Sequence, residues 1–243
     1  IEVLTGVRVV EHMGNSIGGV IKLTPSSIRG EKGLHGSGQY FYDSNGSGHG
    51  LNFKISNNDS ILAYGISATA KKSGDLKSAD YFLRNTGAHE ASVSGQFEYA
   101  ISNSLSAEMY CSSFNAEYGV LRGSHISNLT DLESAFNQDI PFYTQDNSSY
   151  NIEAPFQRVN HHMANASLHW DADENLSFEL RYAIQIDQRK EFDVRRGGRT
   201  TKPALSLEQD THFFEGKATS SFESGWQLNA GAQYSQINNV NVP

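Results

Sequence analysis

Cysteine is almost missing from this sequence: Cys111 stands alone in 243 residues. No internal disulfide can form, and a small strand residue is the simpler reading of Cys111 than a nucleophile. No Cys/His cluster carries zinc spacing. Long apolar runs are missing too, and nothing approaches the roughly 20 residues of a membrane-crossing helix. That excludes a helical span but not a barrel, whose strands cross in about 10 alternating residues. Charge is sparse, at 19% of residues, where about a quarter is usual. Its balance is acidic, net −8, which argues against nucleic acid as a partner. A signal peptide is lacking and Ile1 is not a natural start. A mature piece or a fragment is therefore expected, and the missing leader says nothing about location. The segment 119–124 holds no G-x-S-x-G elbow, and no enzyme is expected.

What the sequence has is alternation. Leu62, Tyr64, Ile66, Ala68 and Ala70 alternate with Ala63, Gly65, Ser67 and Thr69. Leu176, Phe178, Leu180, Tyr182, Ile184 and Ile186 alternate with Ser177, Glu179, Arg181, Ala183 and Gln185. The same period of two runs through 51–56, 92–99, 105–111, 164–170, 214–222 and 226–234. Successive strand side chains point to opposite faces, so each segment has one apolar and one polar face. With 36–43, which holds Tyr40, Phe41 and Tyr42, nine strands are expected after residue 33.

The connections fall into two lengths. Tight polar turns are expected at 57–59, 102–104, 171–175 and 223–225, and long loops at 71–88, 115–157 and 190–207. Only the short 44–48 connection departs from strict alternation of short and long. Outer-membrane barrels have this asymmetry; a soluble sandwich has no reason for it. Within the second long loop, Asn128 or Thr130 is placed to cap a short helix over 129–136. Aromatics such as Trp170 and Trp226 stand near strand ends, as interfacial girdles require, although a sandwich core also uses aromatics. An odd number of strands leaves open edges, which lipid forbids. Truncation at both ends is therefore expected.

The stretch 1–24, IEVLTGVRVVEHMGNSIGGVIKLT, is an apolar strand, a turn at Gly6, a loop, and a Gly18-Gly19 pair feeding a second strand. It resembles the end of the plug domain of TonB-dependent outer-membrane receptors. That family carries I-E-V-L-R-G-P, about ten variable residues, then G-G-V-I-N-I. Ile1, Glu2, Val3, Leu4, Gly6, Ile17, Gly18, Gly19, Val20 and Ile21 match. Thr5, Val7 and Lys22 stand where the family has Arg, Pro and Asn, which puts one plug–barrel contact in doubt. Later segments, 156–162, R-R-G-G-R at 195–199 and P-A-L-S-L at 203–207, are similar to the family's barrel.

The resemblance implies an all-β, antiparallel transmembrane barrel of 22 strands around a plug. Here 1–25 would be the end of the plug, 26–33 a linker, and 34–243 about nine barrel strands. Glu2 would face a barrel arginine. The implied function is energy-coupled uptake of a scarce ligand, most often a ferric siderophore or haem. The implied partners are the TonB–ExbB–ExbD complex, outer-membrane lipid and lipopolysaccharide. The rival reading is a soluble carbohydrate-binding or adhesin-like β-sandwich.

Two constellations stand out. Arg195, Arg196 and Arg199 flank Gly197-Gly198, and three guanidiniums on such a loop suit a carboxylate- or phosphate-rich ligand. The plainer reading pairs them with Glu191, Asp193 or lipid phosphate. His161 and His162 are adjacent on a strand, so they face opposite ways and do not chelate one metal together.

Overall fold

The computed structural model describes residues 1–6, 18–25, 27–30, 32–124, 126, 128–195 and 199–242. Two short strands, β1 (Glu2–Leu4) and β2 (Val20–Lys22), pair antiparallel at the N-terminus. The long strands are β3 (Gly33–Asp43), β4 (Gly48–Asn58), β5 (Leu62–Ser73), β7 (Ala88–Ala100) and β8 (Leu105–Gly119). They continue as β10 (Phe156–Asp171), β11 (Leu176–Phe192), β12 (Leu205–Ser221) and β13 (Gln227–Val242). These nine form one sheet in which each strand pairs only with the strand before and after it in that series. Two loop strands, β6 (Phe82–Leu83) and β9 (Thr144–Gln145), pair with each other. The helix α1 (Leu129–Phe136) is capped by Asn128, whose side chain accepts from the Asp131 N–H at 2.8 Å.

The expected strands, turns and loops are all present, with longer strands than alternation marked. β3 starts at Gly33, and β8 and β11 run on to Gly119 and Phe192. The outer-face apolar run stops short of these ends, at Cys111 on β8 and Ile186 on β11, so periodicity marks only part of each strand.

One face carries the chain ahead of β3. Ile28 is buried against it, and a Cβ on Gly65 would meet Ile28 Cγ2 at 3.1 Å. We call this polar face inner. On the outer face Leu51, Phe53, Ile66, Val93, Phe97, Leu180, Phe214 and Tyr234 are each 40% to 60% exposed. Among the described residues the buried hydrophobics are Leu4, Ile28, Ala63, Ala116 and Phe192. No second sheet covers the apolar face among the described residues, and the sandwich reading is not favoured. No helix among the described residues is long and apolar enough to cross a membrane, which says nothing about strands.

The register shows how the apolar residues lie across the sheet. On β5 the outer-face apolar run covers 62–70 and on β12 it starts at Phe214 and reaches Phe222 beyond the strand end. Ala70 lies in the row of Ala91, Asn115, Asn160 and Gln188. Phe214 lies in the row of Tyr182. The upper edge of the band thus drops six residues, about 20 Å, while crossing five strand spacings, about 24 Å. The lower edge drops equally, from Leu62 in the row of Leu180 to a position beyond the Leu176–Ser220 pair. An oblique band of similar width on β5 and β12 is what a flat slab leaves on strands crossing it at about 40°. Nine residues at that tilt rise about 20 Å, close to the height of a barrel's lipid-facing band.

Leu180 lies near the middle of the band. Leu180→Arg is expected to destabilise the protein in lipid by about 2–4 kcal/mol, read from denaturant midpoints in vesicles. Nitroxides should find high oxygen accessibility at 180 and low at 179; equal values would sink the face assignment.

Candidate functional site

The inner face divides into a lower part, on which the N-terminal segment is seated, and an upper part that opens between the long loops. The seat is organised by Arg29. Its Nε lies 3.0 Å from Glu98 Oε2. Its Nη1 and Nη2 donate to the carbonyls of Asp59, Ser60, Ile61 and Glu98 at 3.1–3.4 Å. Those carbonyls belong to the β4–β5 turn and to the last part of β7, and the Ile61 carbonyl accepts from the Ala100 N–H as well, at 2.8 Å. A guanidinium with five donors suits several such acceptors at once. Glu98 stands directly opposite Glu108 in the β7–β8 register. Like charges in that position repel, and Arg29 offsets the repulsion.

Further along the same row, Arg181 reaches Glu179 at 2.5 Å and Glu215 at 3.6 Å, and Gln233 donates to Glu215. A cleft of about 320 Å³ separates the 22–27 segment from Gln96, Glu108, Asn165 and Arg181. The wall under the segment is therefore polar, charged of both signs and incompletely filled.

In the upper inner face, Lys71 pairs with Glu90 at 3.2 Å and Tyr118 donates to the same carboxylate at 3.1 Å. Burial first, then the bond and charge of Glu90, push the Tyr118 hydroxyl above its ordinary range, so it stays a donor. His161 stands 3.8 Å from Asp187, which accepts from Gln185 at 2.8 Å. His162 is on the opposite face, as strand geometry requires. Among the described residues no His/Cys/Asp/Glu group has the arrangement of a metal site.

Above the strands, the first two long loops, 74–87 and 120–155, are joined by two buried side chains. Asp75, 1% exposed, accepts from the Thr86 N–H at 2.9 Å, Gln145 Nε2 at 2.6 Å and the Ser149 N–H at 3.3 Å. Asn85 has φ +67°, a conformation Asn tolerates. It donates to the carbonyls of Val120 and Pro155 and accepts from the Glu153 N–H. A Cβ on Gly119 would come within 2.5 Å of the Asn85 carbonyl oxygen, so the strand must end in glycine there. The β6–β9 pair and the Arg84–Glu153 contact at 3.0 Å add to the joint.

The residues singled out from the sequence are placed as follows. Glu2 pairs in register with Lys22 across β1 and β2. Gly6 has φ +66° and Gly19 φ +118°. A Cβ on Gly19 would sit 2.8 Å from the Leu4 carbonyl, whereas Gly18 has open space around it. Arg195 donates to the Ala204 carbonyl at 3.3 Å across its own loop. Arg196, with Gly197 and Gly198, lies outside the described residues. Arg199 begins a short 3-10 turn, and its side chain also lies outside them. The plainer pairing with Glu191 is not made by Arg195: Glu191 bonds Arg189 at 2.6 Å. Arg29, Asp75 and Asn85 escaped sequence reading, because each acts mainly through distant partners, up to 74 positions away.

Asp75→Ala leaves the Thr86 and Ser149 amides unpaired, a loss of roughly 1–3 kcal/mol in local stability. Limited proteolysis within 120–155 should then run about tenfold faster, with the strands still protected. Unchanged cleavage would mean the loops are held by other contacts.

No family model matches the chain and no curated protein matches it. Solved structures do. The siderophore receptor PirA from Acinetobacter baumannii superposes with a TM-score of 0.64 at 13% identity, covering 97% of this chain and 34% of that one. The ferric-catecholate import receptor Fiu from E. coli K12 gives 0.57 at 10% identity, covering 88% and 35%. The ferric enterobactin receptor PfeA from Pseudomonas aeruginosa, as a G324V mutant, gives 0.56 at 9% identity, covering 86% and 32%. The chain spans about a third of the length of these receptors. Identities this low speak to fold alone, and in fold the chain is similar to a section of the β-barrel of these receptors, as its resemblance to TonB-dependent receptors leads one to expect.

Proposed function

We propose that the chain is part of a TonB-dependent receptor of the outer membrane: the end of a plug, residues 1–25, a linker, and nine barrel strands from 34 onward. The receptor takes up a scarce ligand by energy-coupled transport. The observation that carries this is the oblique apolar band on one face combined with the N-terminal segment seated on the other. A wall that is apolar outside and charged inside suits lipid on one side and a hydrated plug on the other. The neighbours in fold are receptors rather than enzymes, which agrees with a non-enzymatic role.

The ligand class that fits best is a ferric siderophore, with haem the second choice. The names of the structural neighbours favour the siderophore. Coupling would come from the TonB–ExbB–ExbD complex acting on plug sequence outside this chain, and lipid and lipopolysaccharide would surround the barrel. The long loops would then stand outside the cell. Two membrane crossings, β10 and β11, separate the second long loop from the arginine loop, so parity puts both on one side. Arg195, Arg196 and Arg199 would meet the incoming ligand at the mouth, with Glu2, Gly6, Gly18 and Gly19 shaping the end of the plug.

A deletion strain should lose growth on one ferric siderophore or on haem as the iron source and regain it with the intact gene; normal growth on all of them would overturn the uptake reading. In whole cells, a tag at 196 should react with an impermeant reagent, while one at 173 stays silent until the membrane is opened. The reverse pattern inverts the orientation. Replacing the three arginines with alanine should lower uptake about tenfold or more, since each bidentate contact is worth 1.5–3 kcal/mol. Unchanged uptake leaves the topology standing and makes the cluster structural.

A further inference from the structure

Directly above the apolar band, the outer face carries a second pattern. Two residues beyond the last apolar outer-face position stand His49 on β4, Lys72 on β5, His89 on β7, His162 on β10, Gln188 on β11 and His212 on β12. The strands between and after them place Ser113 and Gln236 at the same level. Histidine supplies 9 of 243 residues, yet it takes half of these positions, and none of them is acidic. His49, Lys72 and His89 are direct cross-strand neighbours.

The imidazoles are held from below. Tyr40 and Tyr182, both outer-face residues at the top of the band, meet His49 Nδ1 and His212 Nδ1 at 2.8 Å. That leaves Nε2 of His49 outside this bond. His89 is committed to the Tyr150 carbonyl at 3.1 Å, and Lys72 lies 5.3 Å over the Tyr150 ring. Three acids stand near, one of them Glu208, opposite Gln188 in register. Asp210 is 3.9 Å from His212, and Glu117, opposite His89 in register, is taken by Arg158 at 2.8 Å. Lys190 stands one outer-face position above Gln188, and Arg158 two above His162, beyond Asn160.

We propose that this collar seats the phosphate-bearing headgroups of the lipids whose chains lie along the band. The inference rests on the band being the membrane-crossing surface. An acyl chain packed on the band brings its own headgroup to this level, so the occupant follows from continuity. A line of N–H donors and cations without a carboxylate of its own complements a phosphate with net negative charge rather than a zwitterionic headgroup, whose phosphate is balanced by its own cation.

The test uses the complete receptor in phosphatidylcholine vesicles, with spin-labelled phosphatidic acid or spin-labelled phosphatidylcholine as the probe. The wild type should hold phosphatidic acid at its boundary about threefold more tightly than phosphatidylcholine, a modest ratio for a few surface cations. Lys72→Glu with His162→Glu, two positions with no hydrogen bond in the fold's framework, should bring the ratio to one or below. Lys72→Gln with His162→Gln should fall between, and guards against a misfolded charge reversal. Equal boundary affinity for the two lipids in the wild type overturns the collar. A Glu variant as selective as the wild type overturns its assignment to these residues. If neither lipid shows a motionally restricted fraction, the band is not in the membrane, and the receptor reading fails with it.

Discussion

Backbone amides in hydrocarbon have only other backbone amides to bond, and the sheet from β3 to β13 is arranged around that constraint. Each strand pairs with its sequence neighbours on both sides, so seven of the nine are saturated along their length. With polar main chain removed from the account, side chains are free to invert the usual order. Leucine, phenylalanine and tyrosine stand exposed on one face while glutamate, arginine and glutamine line the other. The same ladder carries the apolar band obliquely across the sheet, in one set of rows on β5 and β7 and six residues lower on β12.

The inner face must then deal with charges that the outer face excludes. It does so by pairing across the sheet, as Arg181 does with Glu179 and Glu215, and by borrowing Arg29 from the segment ahead of β3. The borrowed cation relieves the Glu98–Glu108 opposition and caps carbonyls at the turn end of three strands. This fixes the path of the chain from β2 into β3. The junction of the preceding segment with the wall is tied where the turns are.

At the other end the strands outrun the band, and the loops above them are bound rather than loose. Asp75 and Asn85 are buried polar groups with their hydrogen-bonding capacity used, which favours one arrangement of the two loops over others. A ligand arriving there would meet a surface already in place, next to the Lys71–Glu90–Tyr118 group and the arginine loop.

Alternation is a local property, and local properties were legible. The faces, the nine strands, the short and long connections and the Asn128-capped helix all follow from residues within a few positions of each other. The plug-like stretch was legible for the same reason: Gly6 and Gly19 answer to backbone geometry inside one two-stranded unit. Register was not legible, because a period of two is unchanged when one strand slides by two along another. Only the pairing of Ala70 with Ala91 and of Phe214 with Tyr182 turns separate apolar runs into one slanted band, and a histidine every few dozen residues into a collar. Arg29 with Glu98, Asp75 with Ser149 and Asn85 with Pro155 likewise had no sequence signal. Each pair joins residues about 70 positions apart, and their contact exists only once the intervening strands have closed the distance.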